Sequence, residues 1–219
     1  MNLKQFKKLN VGIVGCGYWA TNIIKSLEEE NFNNLYVYDS DKKKLKTIKS
    51  KFSYLNLCSS LESLLANRLD CVMLVTPPST HFGLAKKILA ENINLFIEKP
   101  VTLNSKHLKD LIKLSKKNKT ILMSGYIYIY SVYINYIRKI LKKNTLGKLK
   151  YIYFERSNLG PIRNDTSCLW DLASHDISTA LFLLNRKPKI SFVKVYNFLK
   201  KKLFDISSLG LDFKNVRLK

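Results

Sequence analysis

Three groupings in this chain carry residue types able to do chemistry. Asp171 and His175 stand four apart in Leu169-Trp170-Asp171-Leu172-Ala173-Ser174-His175-Asp176-Ile177, a spacing that puts both on one face of a helix. A carboxylate within reach of an imidazole sets its tautomer and raises its basicity, which suits a general base for an alcohol being oxidised. The same spacing equally fits a structural pair on a helix surface. Glu98-Lys99-Pro100 follows the apolar run Leu95-Phe96-Ile97; a lysine there can orient a hydroxyl and help its proton leave, with Glu98 fixing the lysine. Thr76-Pro77-Pro78-Ser79-Thr80-His81 follows a third apolar run. Its prolines stiffen the turn, Ser79 or Thr80 can cap the next helix, and His81 reads equally as a ligand contact or as a capping or exposed histidine.

These groups need a scaffold, and the strongest sign of one is Val11-Gly12-Ile13-Val14-Gly15-Cys16-Gly17-Tyr18-Trp19-Ala20. Gly15 permits a tight turn out of a strand, Gly17 lets backbone approach a pyrophosphate, and small Ala20 lets the next helix pack on the sheet. Ala20, Ile23, Ile24 and Leu27 keep helical spacing, so the helix start offers free N–H groups to an anion. Asp39 ends a second strand about 20 residues on, where a carboxylate binds both ribose hydroxyls. That position favours NAD over NADP, because a 2′-phosphate would meet a negative charge. Asp39-Ser40-Asp41 also reads as a helix N-cap and solvated turn.

Strands expected at 10–14, 35–38, 71–75, 94–97 and 120–124 alternate with helical spacings such as Leu84, Ala85, Ile88, Leu89 and Leu108, Leu111, Ile112. This is the pattern of an α/β, doubly wound parallel (Rossmann) sheet occupying residues 1–124. It puts the Thr76 and Glu98 segments at the carboxyl edge, where open α/β sheets bind ligands. From 125 the character changes. A Tyr/Ile-rich segment leads into a helix whose Tyr133, Tyr136, Ile137, Ile140 and Leu141 read as an amphipathic core face. Strands at 149–155, 190–196 and 206–213 and a helix from about 171 to 184 follow. Residues 125–219 therefore read as a partial α+β domain, mostly antiparallel. Three strands and a helix make a poor closed core, and the sequence stops just after a strand.

Composition narrows the partners. The chain has 219 residues, 46% hydrophobic and 25% charged, ordinary for a globular protein. Its 38 basic against 16 acidic residues give a net charge of +22. The lysines are dispersed over helix flanks, so nucleic acid is not an expected partner. Cys16, Cys58, Cys71 and Cys168 contain no C-x-x-C pair and read as reduced thiols in a cytoplasmic protein; no metal is expected. The apolar stretch before Cys16 is too short for a signal segment, and no run has the length of a membrane span.

Taken in order, Gly15-Cys16-Gly17-Tyr18-Trp19, Thr76-Pro77-Pro78-x-x-His81, Glu98-Lys99-Pro100 and Asp171-x-x-x-His175 resemble the Gfo/Idh/MocA family of nicotinamide-dependent sugar and polyol oxidoreductases. The resemblance implies Lys99, Asp171 and His175 at the catalytic centre. It implies Gly15, Gly17, Tyr18, Trp19, Asp39, Thr76, Pro77, His81 and Glu98 around NAD, and Lys99, Arg163, Trp170 and His175 around the substrate. The runs beginning at Arg156 and Leu169 resemble most the branch acting on nucleotide-linked (UDP-) amino sugars and uronic acids. A free sugar or polyol dehydrogenase, inositol-type, is the alternative enzyme reading, and a non-catalytic dinucleotide-binding remnant the other. The chain departs from many members at Ala173, Ser178 and Tyr126–Ser131. Family chains also continue further, so a homo-oligomer is implied for the full-length family and less so for this shortened chain.

Overall fold

The computed structural model describes residues 8–157, 165–199, 203–214 and 216–218. The chain divides into two compact units, Met1–Gly125 and Tyr126–Lys219.

The first unit runs β1 (Val11–Val14), α1 (Tyr18–Glu29), β2 (Leu35–Tyr38), α2 (Lys42–Lys51), β3 (Asn56–Leu57), α3 (Leu61–Leu65), β4 (Cys71–Leu74), α4 (Pro78–Ala90), β5 (Asn94–Ile97), α5 (Ser105–Lys117) and β6 (Leu122–Ser124). Its six strands are parallel in the order β3-β2-β1-β4-β5-β6. The order reverses between β1 and β4, the switch point where such sheets open a crevice. Apolar runs form these strands because both faces are covered. Val11 and Ile13 enter one core cluster with Ile24, Leu35, Val37, Leu45 and Ile48, while Val14 enters the opposite one with Val72, Leu74, Leu95, Ile97 and Ile88. One strand thus anchors both layers of helices and aims its carboxyl end, and the loop after it, at the sheet edge.

The structure departs from the sequence expectation at β3, a two-residue strand too short and too polar to show a period, and at the start of β6, which begins at Leu122. Neither Ser79 nor Thr80 caps α4. The helix starts at Pro78 after Pro77 with no side-chain cap bond, and the Thr80 hydroxyl bonds instead to Pro77 O and Thr76 Oγ1.

The second unit holds a 3-10 turn (Ile127–Tyr130), α6 (Val132–Lys143), β7 (Tyr151–Ile152), a π-helical turn (Leu169–Ala173), α7 (Ser174–Leu184), β8 (Lys189–Tyr196), β9 (Ile206–Asp212) and β10 (Arg217–Leu218). Its sheet is ordered β7-β10-β9-β8, with β8-β9 and β9-β10 antiparallel and β10-β7 parallel. Ala180, Leu211, Phe213, Val216 and Leu218 form its core, joined by Ile177 and Leu184 of α7.

Two expectations fail here. The strand expected over 149–155 contracts to Tyr151–Ile152. On α6, Tyr133, Tyr136 and Ile137 are 78%, 65% and 42% exposed and are not core. The helix instead lays Arg138 over the Phe182 ring of α7 at 4.0 Å. A guanidinium on an aromatic face took the packed side that hydropathy alone assigns to tyrosine and isoleucine.

Candidate active site

The first unit gathers its candidates at the carboxyl edge of the sheet. Gly15 has φ +102°, and a Cβ on it would stand 2.9 Å from the carbonyl carbon and oxygen of Val75 and 3.0 Å from Thr76 Cγ2. Both the backbone angle and the space require glycine. A Cβ on Gly17 would meet nothing within 4 Å, so the bare backbone there faces open space at the start of α1. The first turn of α1 holds no acidic residue, and its N-cap makes no side-chain bond. Its N–H groups and the helix dipole are left for an external anion.

Asp39 is tied into this loop. Its Oδ2 accepts the Cys16 N–H at 2.7 Å and its Oδ1 the Asp41 N–H at 2.8 Å, while Asp41 takes the N-cap role of α2 by accepting from Lys43 N. The carboxylate is thus aimed before any ligand arrives, and each oxygen keeps a lone pair. Burial, then the Asp39 charge, pushes the Cys16 thiol up to about 12, so this loop cysteine is a neutral thiol at physiological pH. A groove of about 420 Å³ leads from Cys16, Gly17 and Tyr18 between α1 and α2, flanked by Lys25, Lys44 and Lys51.

The Thr76 and Glu98 segments are held to the sheet edge by backbone and side-chain bonds. His81 is wholly buried, with Nε2 at 2.8 Å from Thr76 O and Nδ1 at 2.9 Å from Pro100 O. Burial lowers its pKa, opposed by those carbonyls. Sequence left His81 open between ligand contact and an exposed cap; the structure makes it a buried tie between two loops. The Lys99–Pro100 peptide is cis. Glu98 accepts the Trp19 indole N–H at 2.8 Å and the Lys99 N–H at 3.1 Å. Tyr18 is 85% exposed beside the loop.

In the second unit Asp171 and Trp170 lie on the π-helical turn, and His175 follows in the first turn of α7. π-turns inside helices recur at functional sites, and this one alters the simple helical register assumed for Asp171 and His175. His175 is buried, its ring edge-on to Tyr128 at 5.0 Å. Beside it Asp176 takes a bidentate grip from Arg156, whose Nε and terminal nitrogen lie 2.8–3.0 Å from its oxygens. Arg156 also donates to Tyr128 OH at 3.2 Å and stands 4.8 Å from that ring. The Asp176 bond raises the already high Arg156 pKa. The sequence names Tyr128, Arg156 and Asp176 only as members of longer runs and assigns no role to any of them, although Asp176 adjoins His175 and Arg156 follows a strand signal. Arg163 lies outside the described residues. Among the described residues no group of three or more His, Cys, Asp or Glu is arranged to hold a metal ion, and no helix is long and apolar enough to cross a membrane.

The strand order, the glycine loop at the switch point and the carboxylate ending β2 define a dinucleotide-binding Rossmann unit. Residues 9–126 match the Gfo/Idh/MocA oxidoreductase family with its NAD-binding Rossmann fold, and the chain belongs to that family. Among curated proteins it is 32% identical over 130 residues to UDP-N-acetylglucosamine 3-dehydrogenase of Acidithiobacillus ferrooxidans, covering 59% of this chain and 40% of that protein. It is 27% identical over 151 residues to 2,7-anhydro-N-acetylneuraminate hydratase of Escherichia coli, covering 68% and 40%. The chain thus spans about 40% of the length of these curated relatives. Among solved structures, an oxidoreductase of Agrobacterium radiobacter in complex with NAD+, L-tartaric acid and magnesium superposes with a TM-score of 0.86 at 18% identity, over 96% of this chain and 66% of that one.

Proposed function

We propose that this protein is an NAD-dependent oxidoreductase that moves a hydride between the nicotinamide and a ring carbon of a sugar, and that the sugar is nucleotide-linked. The observation that carries the cofactor part is the glycine loop locked to Asp39, with an uncapped helix start behind it. NAD fits this cradle. The first-turn N–H groups of α1 would hold its pyrophosphate and Asp39 its adenosine ribose, with the Thr76 and Glu98 segments serving the nicotinamide end. When bound, the cofactor supplies the hydride acceptor or donor.

The residues of the chain do the rest. Lys99 orients the substrate hydroxyl, and Lys99 and His175 take and return its proton as hydride leaves or arrives at carbon. Asp171 serves the orientation of His175, and Trp170 borders the sugar. His81 acts through the loops it joins. Similarity to a UDP-N-acetylglucosamine 3-dehydrogenase supports the nucleotide-linked amino sugar as substrate class. Residues 1–124 serve as the cofactor domain and 125–219 as substrate domain, in a cytoplasmic setting that suits four free thiols.

The test is kinetic. Lys99→Met and His175→Ala should each leave the NADH dissociation constant within about twofold while lowering kcat on a UDP-amino sugar by about 10²–10⁴-fold. Near-normal turnover in both variants would remove the catalytic assignment.

A further inference from the structure

We propose that Trp19, Glu98 and Gly125 form a clamp that positions Lys99 on the sheet edge. Three separate features converge on one carboxylate. The Trp19 indole N–H, carried on the first turn of α1, reaches Glu98 Oε1 at 2.8 Å across 79 positions of sequence. The Lys99 backbone N–H reaches Oε2 at 3.1 Å. From the third side, Gly125 supplies room: a Cβ there would lie 2.9 Å from both carboxylate oxygens and 3.0 Å from Cδ.

Gly125 cannot shift away cheaply, since its N–H is bonded to Ile97 O at 2.9 Å. The end of β5, which Glu98 follows, and the segment that leaves β6 are therefore fixed to each other where the carboxylate sits. A charged acceptor shared by two donors is stronger than a neutral one and has a narrow geometry. The backbone nitrogen of Lys99 is one of those donors, so the clamp fixes where the lysine side chain begins. It also links that point to the helix start behind the glycine loop. Trp19 and Gly125 are positioning residues in this scheme. The inference rests on the reading of Lys99 as the group that handles the substrate hydroxyl.

Glu98 is the sole glutamate followed by lysine in the sequence. Glutamate labelled with carbon-13 at the carbonyl, combined with nitrogen-15 lysine, therefore gives one NMR correlation, the Lys99 amide. Trp19→Phe and Gly125→Ala should each shift that signal and speed its hydrogen exchange. They should lower kcat by about 10-fold to 100-fold, the cost of an ångström-scale misplacement, with sugar KM within about twofold. Gly83→Ala, on α4 with open space around it, should change neither. An unmoved Lys99 amide in Trp19→Phe, or a moved amide with wild-type kcat, would overturn the clamp as a positioning device. If the amide moves as expected while the wild-type chain oxidises no sugar, the clamp stands and the proposed function fails.

Discussion

Replacing Asp39 with alanine separates the structural and the recognition roles of one carboxylate. The change deletes two charge-assisted bonds, from Cys16 N at 2.7 Å and from Asp41 N at 2.8 Å. Water can replace the exposed bond to Asp41, but the part-buried Cys16 N–H loses its acceptor. Together the losses cost about 2–3 kcal/mol, which in a domain of this size lowers Tm by about 10 °C. Recognition changes separately. A unit charge on a 2′-phosphate about 5 Å from Asp39, at an effective dielectric of about 40, is repelled by about 1.7 kcal/mol, a preference for NADH of roughly 15-fold. In Asp39→Ala that preference should fall to within about threefold, while affinity for both cofactors drops because the loop is released. Thermal melts and paired NADH and NADPH fluorescence titrations read the two effects. A variant with wild-type Tm and an unchanged preference would refute both parts of the reasoning.

The pH profile of stability should fall on both sides. The Cys16 thiol is raised in the fold from 9.0 to about 12, so above pH 9 the unfolded chain loses a proton that the fold retains. Stability present below pH 9 is then lost as pH rises towards 12, and Cys16→Ser should flatten that arm. His81 is lowered from 6.5 by burial, so below about pH 6.5 the unfolded chain takes up a proton first. Stability present above that pH is lost as pH falls, and His81→Asn should blunt the acid arm in pH-dependent melts. In the second unit, Arg156→Ala leaves Asp176, with a side chain only 14% exposed, without its cation. A cost of about 1–3 kcal/mol is expected in denaturant unfolding, recovered only in part by Arg156→Lys because lysine lacks the bidentate fork.

The first unit was legible in sequence because strands buried on both faces are written as continuous apolar runs, and because the glycine loop is a local motif. What stayed hidden depends on distant or very short features. β3 and β10, at two residues each, are too short to show a period. The exposed tyrosines of α6 carry the same hydropathy pattern as a packed face, and only the seat of Arg138 on Phe182 distinguishes them. The candidate residues were found by type and spacing, but their partners were not. Trp19 with Glu98, and Arg156 with Asp176 and Tyr128, join segments that no spacing rule connects. His81 was undecided in sequence because a first-turn histidine can face water or the core. Pro100 O and Thr76 O, one from another loop, fix which.

In the proposed function the glycine loop and Asp39 cradle NAD. The most direct measurement is a titration of the purified chain with NADH, followed by nicotinamide fluorescence, beside the variant Gly15→Ala. That variant places a methyl 2.9 Å from Val75 backbone at φ +102°, a strain of about 1–3 kcal/mol before any clash. Saturable binding at one site is expected in the wild-type chain, with weaker binding of NADPH and loss of the NADH signal in a Gly15→Ala protein that circular dichroism shows to be folded. Absence of NADH binding by the folded wild-type chain, or undiminished binding by folded Gly15→Ala, would contradict it.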